Sequence, residues 1–277
     1  MGDSWREQFK QIQLEMLKIF IDVCKEYDLQ YFLVCGSCLG AIRHAGFIPW
    51  DDDIDVGMPR EDYENFLEIA RDKLPSHLFL QTSNTDPEYP HPFAKIRNSN
   101  TTYIETSVKN LNINHGVYLD VFPIDGISEN KFIRGLIKFK KKYYNLVISK
   151  CFYSERYVEN SLKKYVKKVL WQLNPDIKKA IRKRETLFCK YAYVSSSLIT
   201  NFGSAWGDRE IMPKDILGQG KKAVFEGIDV IVPEKYDEYL TRLYGDYMTP
   251  PPPEKRIAHH FYSAADMNKS YREYAEK

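Results

Sequence analysis

The spacing of apolar residues changes twice along this chain of 277 residues. The first thirty residues carry apolar side chains at helical spacing, and short apolar runs that end at glycine or proline follow them. Long basic segments with helical spacing then replace these runs, before the chain returns to a hairpin, a helix and a proline-rich loop. We therefore predict an α/β (α+β) protein with a catalytic core over 1–130, a basic helical insertion over 131–200, and a C-terminal part, 201–277, that returns to the core.

The same patterns predict individual elements. Proline and glycine mark most of their ends, because proline lacks an N–H and glycine favours turns. In the first half we predict a helix over the first thirty residues, a buried strand at 31–36, a helix that ends at Gly46, a half-buried strand at 53–58, a helix at 59–74, and strands at 78–82, 93–98, 101–106 and 116–126, the last closed by Pro123 and Gly126. In the C-terminal part we predict a hairpin at 222–233 that turns near Gly227, a helix at 234–245 and a loop at 249–256.

The segment FIPWDDDIDVGM, residues 47–58, places four aspartates within five positions beside apolar residues. Because alternate side chains of a strand share a face, Asp53 and Asp55 are expected to point the same way, and Asp51 lies on the same alternation. Two carboxylates at such a short distance raise each other's pKa unless a cation lies between them. Mg²⁺ is a suitable cation, because it binds through carboxylates together with substrate phosphates. The cluster therefore indicates a metal site; a solvated acidic turn is the simpler alternative.

A glycine-serine pair and a distant aspartate extend this pattern. Gly36 and Ser37 lie where a predicted strand ends and a helix begins, so their N–H groups and hydroxyl are suited to hold phosphate. The Asp-x-Asp pair follows Ser37 after sixteen residues. Asp120 lies in a later apolar strand, where a buried carboxylate needs a partner, either a metal or backbone amides. This order of elements is that of a nucleotidyltransferase-fold core with a mixed β-sheet.

The motif CGSC, residues 35–38, is also similar to a thioredoxin redox site. The carboxylate cluster and the length of the chain have no place in that interpretation, so we expect neither a redox nor a metal role for Cys35 and Cys38. The three other cysteines lack the paired spacing of zinc ligands.

The block GSCLGAIRHAGFIPWDDDIDVGM resembles the signature of the LicD family, which includes the fukutin-related proteins. FAKIRNSNTTYIE, LDVFPIDG, FEGIDVIVP and YLTRLYGDYMTPPPPEKRIAHH resemble the later blocks of that family, in the same order. The match covers 31–126 and 222–260 and is poor across the basic middle. The resemblance implies transfer of a phospho-alcohol, typically phosphocholine from CDP-choline, onto a cell-surface glycan such as a teichoic-acid or lipopolysaccharide precursor. It leaves open which alcohol is transferred and to which sugar.

The resemblance also implies roles for matching residues. Asp53 and Asp55 would be the metal pair and Asp120 the third carboxylate, all three catalytic, with Mg²⁺ as the ion and Mn²⁺ as an alternative. Positive groups are needed besides the ion, because the donor is a diphosphate. The predicted substrate contacts are Gly36, Ser37, Arg43, Lys95, Arg97, His259 and His260. Asp120, His259 or His260 would serve as general base. The simpler alternatives are that Arg43 is a solvated helix residue and that the two histidines are ordinary surface residues.

A choline donor would need aromatic residues in its site. A quaternary ammonium cannot donate a hydrogen bond, so proteins hold it against aromatic faces. The candidates near the motif blocks are Trp50, Tyr103, Tyr118 and Trp206.

The basic middle of the chain has three interpretations. Residues 131–190 hold 18 Lys plus Arg and 4 Asp plus Glu, which leaves the rest of the chain with a net charge of −12. A solvated helical face, a nucleic-acid surface and a membrane-surface patch are all compatible with such charge. We expect 131–168 to bind an anionic membrane surface that carries a lipid-linked acceptor. The rival is a nucleotidyltransferase that modifies RNA or a small alcohol, although no RNA-binding motif is present.

Composition bears on where the protein acts. No stretch reaches the roughly 18 apolar residues of a membrane span, and the N-terminal segment lacks the pattern of a signal peptide. Five cysteines, an odd number, form no disulfide framework in a chain of this size. We therefore expect a cytoplasmic protein that is peripheral on the inner face of the plasma membrane.

Overall fold

The computed structural model of the chain describes residues 4–152, 169, 171–256 and 261–275. His259 and His260 lie outside the described residues, as does most of the second half of the predicted membrane segment 131–168. The helices described are α1 (Ser4–Glu26), α2 (Cys35–His44), α3 (Arg60–Lys73), α4 (Lys131–Ile148), α5 (Ile177–Phe188), α6 (Tyr236–Tyr244) and α7 (Arg272–Ala275). The strands described are β1 (Phe32–Leu33), β2 (Asp55–Pro59), β3 (Leu78–Gln81), β4 (Ala94–Asn98), β5 (Thr102–Glu105), β6 (Val117–Ile127), β7 (Leu198–Thr200), β8 (Met212–Pro213), β9 (Lys221–Phe225), β10 (Ile228–Val232) and β11 (Tyr262–Asp266).

A mixed sheet forms the centre of the fold, which confirms the predicted α/β class. Its strands follow the order β1-β2-β6-β4-β3, while β7 pairs with the C-terminal end of β6 and β8 pairs with β7. The β2–β6 pair is parallel and the other pairs are antiparallel. All eleven residues of β6 are buried, and this strand pairs with β2, β4 and β7, so it is the central strand of the sheet.

Helix α1 covers the sheet and reaches the acidic segment. Its apolar residues, among them Leu17 and Phe20, are fully buried in the main core. The buried side chain of Gln13 donates to the carbonyl oxygens of Tyr118, at 3.1 Å, and of Asp52, at 3.4 Å. An amide buried in an apolar helix face needs such partners. Gln13 therefore connects α1 to β6 and to the acidic segment that precedes β2.

The element boundaries differ from the predictions in informative ways. Strand β1 is only two residues long, because the chain already turns into α2 at Cys35. Ala45, not Gly46, adopts the left-handed conformation that ends α2. Pro123 does not close β6: it lies between Val121, where pairing with β4 stops, and Asp125, where pairing with β7 starts. A residue without an N–H is tolerated where one edge of a strand lacks a ladder partner.

The basic helices form a small layer of their own. Helices α4 and α5 pack through Val147, Ile148, Ala180 and Ile181, and a second cluster around Phe188 and Phe202 connects them to the end of β6. Strand β7 has rejoined the sheet by Leu198, within the predicted insertion. Among the described residues, no helix is both long enough and apolar enough to cross a bilayer.

Candidate active site

Three carboxylates meet where β2 and β6 lie side by side. The parallel register places Asp55 opposite Asp120, and Asp53 precedes β2 by two residues. One carboxylate oxygen from each of the three lies within 4.8 Å of the others. Asp120 is buried, Asp53 is nearly so, and Asp55 is partly exposed. The structure thus brings together the three residues that the sequence predicts as the metal set.

The acidic segment is fixed in place from both sides. The Asp55 N–H donates to Ser37 Oγ at 2.8 Å, and the Asp55 carbonyl accepts from the Val34 N–H at 3.1 Å. On the other side, the Asp120 N–H donates to the Ile54 carbonyl at 3.0 Å. Because these bonds involve the backbone, the sheet fixes the positions of Asp55 and Asp120, and Asp53 precedes the bonded Ile54 by one residue.

Lys95 faces Asp120 across the sheet. The β4–β6 register pairs the two residues, and Lys95 Nζ lies 2.8 Å from Asp120 Oδ1 and 3.1 Å from Oδ2. Burial raises the pKa of Asp120 to about 6; Lys95 opposes this shift, while Glu105 and Asp53 add to it. A cation among these carboxylates would favour the ionised form of Asp120.

Glu105 joins Lys95 to Arg97. Its carboxylate lies 3.5 Å from Lys95 and 2.6 Å from Arg97, and although burial opposes the shift, these two cations lower the pKa of Glu105. Arg97 is fully buried and also donates to Gln81 and to the Gly116 carbonyl. Contact between Arg97 and a phosphate, which the sequence predicts, would require these bonds to break. Arg97 instead supports Glu105, while Lys95 borders the carboxylates directly.

The Gly-Ser pair lies in the first turn of α2, against the acidic segment. A Cβ atom at Gly36 would lie 2.4 Å from Asp51 Oδ2, so only glycine fits there without displacing Asp51. Ser37 is buried, and its hydroxyl is used by the Asp55 N–H. Both residues therefore lie beside the carboxylates; their contact with donor phosphate remains a prediction.

Two guanidinium groups lie together on the rim of this site. Arg43, in the last turn of α2, donates to the Tyr247 carbonyl at 2.5 Å. Burial lowers the pKa of Arg43, Tyr244 opposes this, and the charge of Arg256 lowers it further. The Arg256 guanidinium lies 5.3 Å from the centre of the Trp50 ring. Sequence reasoning missed Arg256, although it stands in the C-terminal block that resembles the family.

The four candidate aromatics divide into two pairs. Tyr103 and Tyr118 are buried in the core, and Lys95 Nζ lies 3.4 Å from the Tyr118 ring centre. Trp50 and Trp206 are only partly buried, and Trp206 packs edge-on against Tyr244 at 4.6 Å. The two tryptophans are therefore the better placed to meet a ligand.

A buried acidic group beneath α2 was also missed. Glu210 is 2% exposed, and Cys35 Sγ donates to it at 3.7 Å. Burial raises the pKa of Glu210 to about 7 and the pKa of the Cys35 and Cys38 thiols well above the ordinary range. Both thiols are free and buried, and a neutral thiol is a poor nucleophile. An isolated carboxylate in a loop gave no sequence signal for Glu210.

Comparison with known proteins defines the family. Residues 28–154 match a family model described as LicD/FKTN/FKRP, nucleotidyltransferase domain. The chain is 32% identical over 264 residues to the lipopolysaccharide cholinephosphotransferase LicD of Haemophilus influenzae, which covers 94% of this chain and 97% of that protein. The chain belongs to the LicD family. Other LicD family relatives match only locally: human and mouse ribitol 5-phosphate transferase FKRP are 41% identical over 51 residues, which is 18% of this chain and 10% of theirs.

Proposed function

We propose that this LicD family protein transfers phosphocholine from CDP-choline to a hydroxyl of a cell-surface glycan, in a reaction that depends on a divalent cation. The observation that carries the proposal is the group of three carboxylates, Asp53, Asp55 and Asp120, on paired strands beside the Gly-Ser turn. The relative that matches almost the whole chain is named as a cholinephosphotransferase of lipopolysaccharide, which supports phosphocholine and a glycan acceptor. A teichoic-acid precursor has the same acceptor chemistry.

The donor set fits a hard cation. Three carboxylates with oxygens within 4.8 Å repel one another, and oxygen ligands of this kind suit Mg²⁺ or Mn²⁺. Asp53, Asp55 and Asp120 would hold the ion. When bound, it would stabilise the charge on the transferred phosphoryl group and on the leaving phosphate.

The protein residues supply the rest of the chemistry. The acceptor oxygen attacks the phosphorus that carries choline, the bond from that phosphorus to the bridging oxygen breaks, and CMP leaves with that oxygen. In this proposal Arg43 and Arg256 neutralise the donor diphosphate, which is supported by their proximity to each other and by the proximity of Arg256 to Trp50, and Lys95 keeps Asp120 oriented. The acceptor proton passes to a general base, for which Asp120 and the His259–His260 pair remain the candidates.

Product analysis tests the reaction directly. The purified protein is incubated with Mg²⁺, a soluble glycan acceptor, and CDP-choline, CDP-ribitol or CDP-glycerol in separate reactions. We expect CMP and a choline-phosphate adduct from CDP-choline, and neither from the Asp53→Asn variant. A parallel reaction with CTP in place of the CDP-alcohol tests the alternative: release of pyrophosphate, with a nucleotide left on the target, would support a nucleotidyltransferase.

The alcohol is tested separately from the reaction class. If Trp206 contacts choline, Trp206→Leu should raise KM for CDP-choline more than for CDP-ribitol. Turnover of CDP-ribitol alone by the wild-type protein would overturn the choline assignment and leave phospho-alcohol transfer standing.

A further inference from the structure

Helix α4 exposes a row of large apolar side chains on the side away from the core. Phe132, Leu136, Phe139 and Tyr143 are 74%, 48%, 71% and 50% exposed. Their spacing of four, three and four residues places them on one face of the helix, here named the α4 stripe. Contiguous exposed apolar surface of this kind marks an interaction site.

The charge of α4 limits what can cover the stripe. The helix contains five lysines and one arginine and no acidic residue. Helical periodicity places Lys140 along one edge of the stripe and Lys131 and Lys142 along the other. A symmetric contact with a second copy would bring these like charges together, whereas a helix with an apolar face between cationic edges suits the interface of an anionic bilayer.

A groove lies beside the stripe, between α4 and the segment 200–211. Its volume is about 600 Å³, and both apolar and basic side chains line it, so we name it the α4 groove. Ile137 and Phe202 contribute apolar surface, and Lys131 and Lys142 contribute charge. This combination suits a ligand with an anionic end and an apolar end.

The polar groups of the groove leave net positive charge. Among the described residues that line it, Asp208 carries the one carboxylate. Asp208 is paired with Lys138, and Arg242 donates to the Arg209 and Ile211 carbonyls. Lys131 and Lys142 form no ion pair with any described residue. The groove therefore attracts an anion in addition to enclosing apolar surface.

Gly135 shows that the groove has room next to the helix. It lines the groove in the middle of α4, and a Cβ atom there would meet nothing within 4 Å. Glycine in a helix interior costs about 1 kcal/mol relative to alanine. A side chain at this position would project into the groove, which gives a direct way to fill it.

One segment connects the groove to the carboxylates. Phe202 and Asp208 line the α4 groove, while Glu210, in the same segment, accepts from Cys35 at the start of α2. Gly36, the next residue, packs on Asp51. A continuous chain of contacts through this segment therefore connects the groove to the candidate active site.

We propose that α4 docks on an anionic lipid bilayer, with the α4 stripe between headgroups and acyl chains, and that the α4 groove receives the phosphate-bearing end of a lipid from that bilayer. This inference rests on the proposed function and makes the acceptor a lipid-linked glycan whose lipid lies in the groove. RNA is the rival polyanion, but a row that includes Leu136 offers fewer stacking faces than a single-strand platform does.

The first test measures docking of the full chain. Flotation with phosphatidylcholine vesicles, with and without phosphatidylglycerol, compares the wild type with the Phe132→Ser, Phe139→Ser double variant. Val194→Ser is the matched control, because Val194 is 71% exposed and lies outside α4. We expect the double variant to lose at least about tenfold in affinity for anionic vesicles, while the control binds as wild type and both keep the wild-type melting temperature. Equal binding by the double variant, or tighter retention of wild type on RNA at the same ionic strength, would overturn the proposal.

The second test addresses the groove. Calorimetric titration with short-chain phosphatidylglycerol, below the concentration at which it forms micelles, compares wild type, Gly135→Ala and Gly135→Phe. We expect Gly135→Phe to weaken binding at least about tenfold because its ring occupies the groove, and Gly135→Ala to weaken it less. Equal binding of inorganic phosphate, or unchanged lipid binding in Gly135→Phe, would contradict a lipid site. Neither readout requires turnover, so failure here is distinguishable from failure to release CMP.

Discussion

At the scale of single residues, strand β6 carries two buried aspartates in different surroundings. Asp120 lies with Asp53 and Asp55 and is paired with Lys95. Asp125 accepts two hydrogen bonds from Arg60 at the start of α3, at 2.6 and 2.8 Å. Both residues are buried carboxylates of the same strand with a cationic partner. Asp125 lies outside the candidate site, so it can be compared with the site carboxylates to separate effects on activity from effects on stability.

Substitution of these aspartates should separate activity from stability. Asp53→Asn and Asp55→Asn should fold normally and lose at least about 10²-fold in turnover, because each removes charge from an ion worth several kcal/mol in the transition state. Asp125→Asn should instead lower the free energy of unfolding by about 3 kcal/mol, since it removes the buried anionic partner of Arg60 and leaves only the exposed Glu64 in the described ion pairs of that residue. CMP release at saturating Mg²⁺ and urea unfolding measure the two effects. Near-normal turnover of Asp53→Asn would remove the metal assignment.

Glu210 should make stability depend on pH. Burial raises its pKa from the ordinary value of 4.5 to about 7, so the native state retains a proton that the unfolded chain releases. The stabilisation is full below about pH 4.5 and is lost as the pH rises through about 7, a change of up to about 3 kcal/mol. Glu210→Gln should flatten this decline in unfolding free energy between about pH 5 and pH 8. Glu238→Gln, on the exposed face of α6, is the control; a decline that persists in Glu210→Gln would assign it to another group.

At the scale of elements, sequence patterns correctly predicted the features that depend on residues close together in the chain, namely which face of a strand a side chain occupies and where a turn lies. The alternation around Ile54 and Val56 placed Asp53 and Asp55 on one face, and Glu226–Gly227 forms the turn predicted near Gly227. The position of Asp120 in an apolar strand marked it as a buried carboxylate, and the family resemblance gave it a role beside Asp53 and Asp55. What the sequence could not show was the partner of each strand: the β4–β6 register pairs Lys95 with Asp120 and leaves Arg97 in the core. Pairing between strands far apart in sequence depends on packing of the whole sheet, so the role of Glu105 was missed. Arg256 was missed because its contact with Trp50 joins a C-terminal loop to a segment about two hundred residues earlier.

Because α2 lies close to the acidic segment, a single methyl group added at Gly36 should lower turnover. Gly36→Ala should displace the Asp51 carboxylate, 2.4 Å from the new Cβ atom, and lower turnover by roughly tenfold or more without loss of stability. Gly135→Ala in α4 is the matched helix variant, because its Cβ atom has open space and should stabilise the protein by about 1 kcal/mol. Steady-state kinetics and melting temperature follow both. Unchanged turnover of Gly36→Ala would show that the position of Asp51 does not matter.

At the scale of the whole molecule, charge is divided along the sequence between residues 131–190 and the rest of the chain. Residues 131–190 carry a net charge of +14, and the rest of the chain carries −12. We expect a preferred orientation near an anionic surface, in which the basic helices α4 and α5 are attracted and the acidic segment is repelled. The acidic segment and the basic helix α4 belong to opposite parts of this division.

Orientation of this kind should appear as a difference in salt dependence between acceptors. Turnover with an acceptor carried in anionic vesicles should fall strongly between about 0.1 M and 1 M NaCl, as the Debye length drops from about 10 Å to about 3 Å. Turnover with the same glycan in soluble form should change much less. Rates measured side by side give the comparison, and parallel salt curves for the two acceptors would argue against orientation at the membrane.

The length of β6 has a consequence for which sugar is modified. Asp120 and Ile127 lie seven residues apart on one extended strand, and Ile127 lines the α4 groove, so the carboxylates and the groove are about 23 Å apart along the strand. If the lipid end of an acceptor lies in the groove, the separation along β6 sets the distance between that lipid and the hydroxyl that reaches the carboxylates. A series of lipid-linked glycans with spacers of increasing length should then show an optimum in turnover. Rates that do not depend on spacer length would mean that the position of the lipid does not determine which hydroxyl reacts.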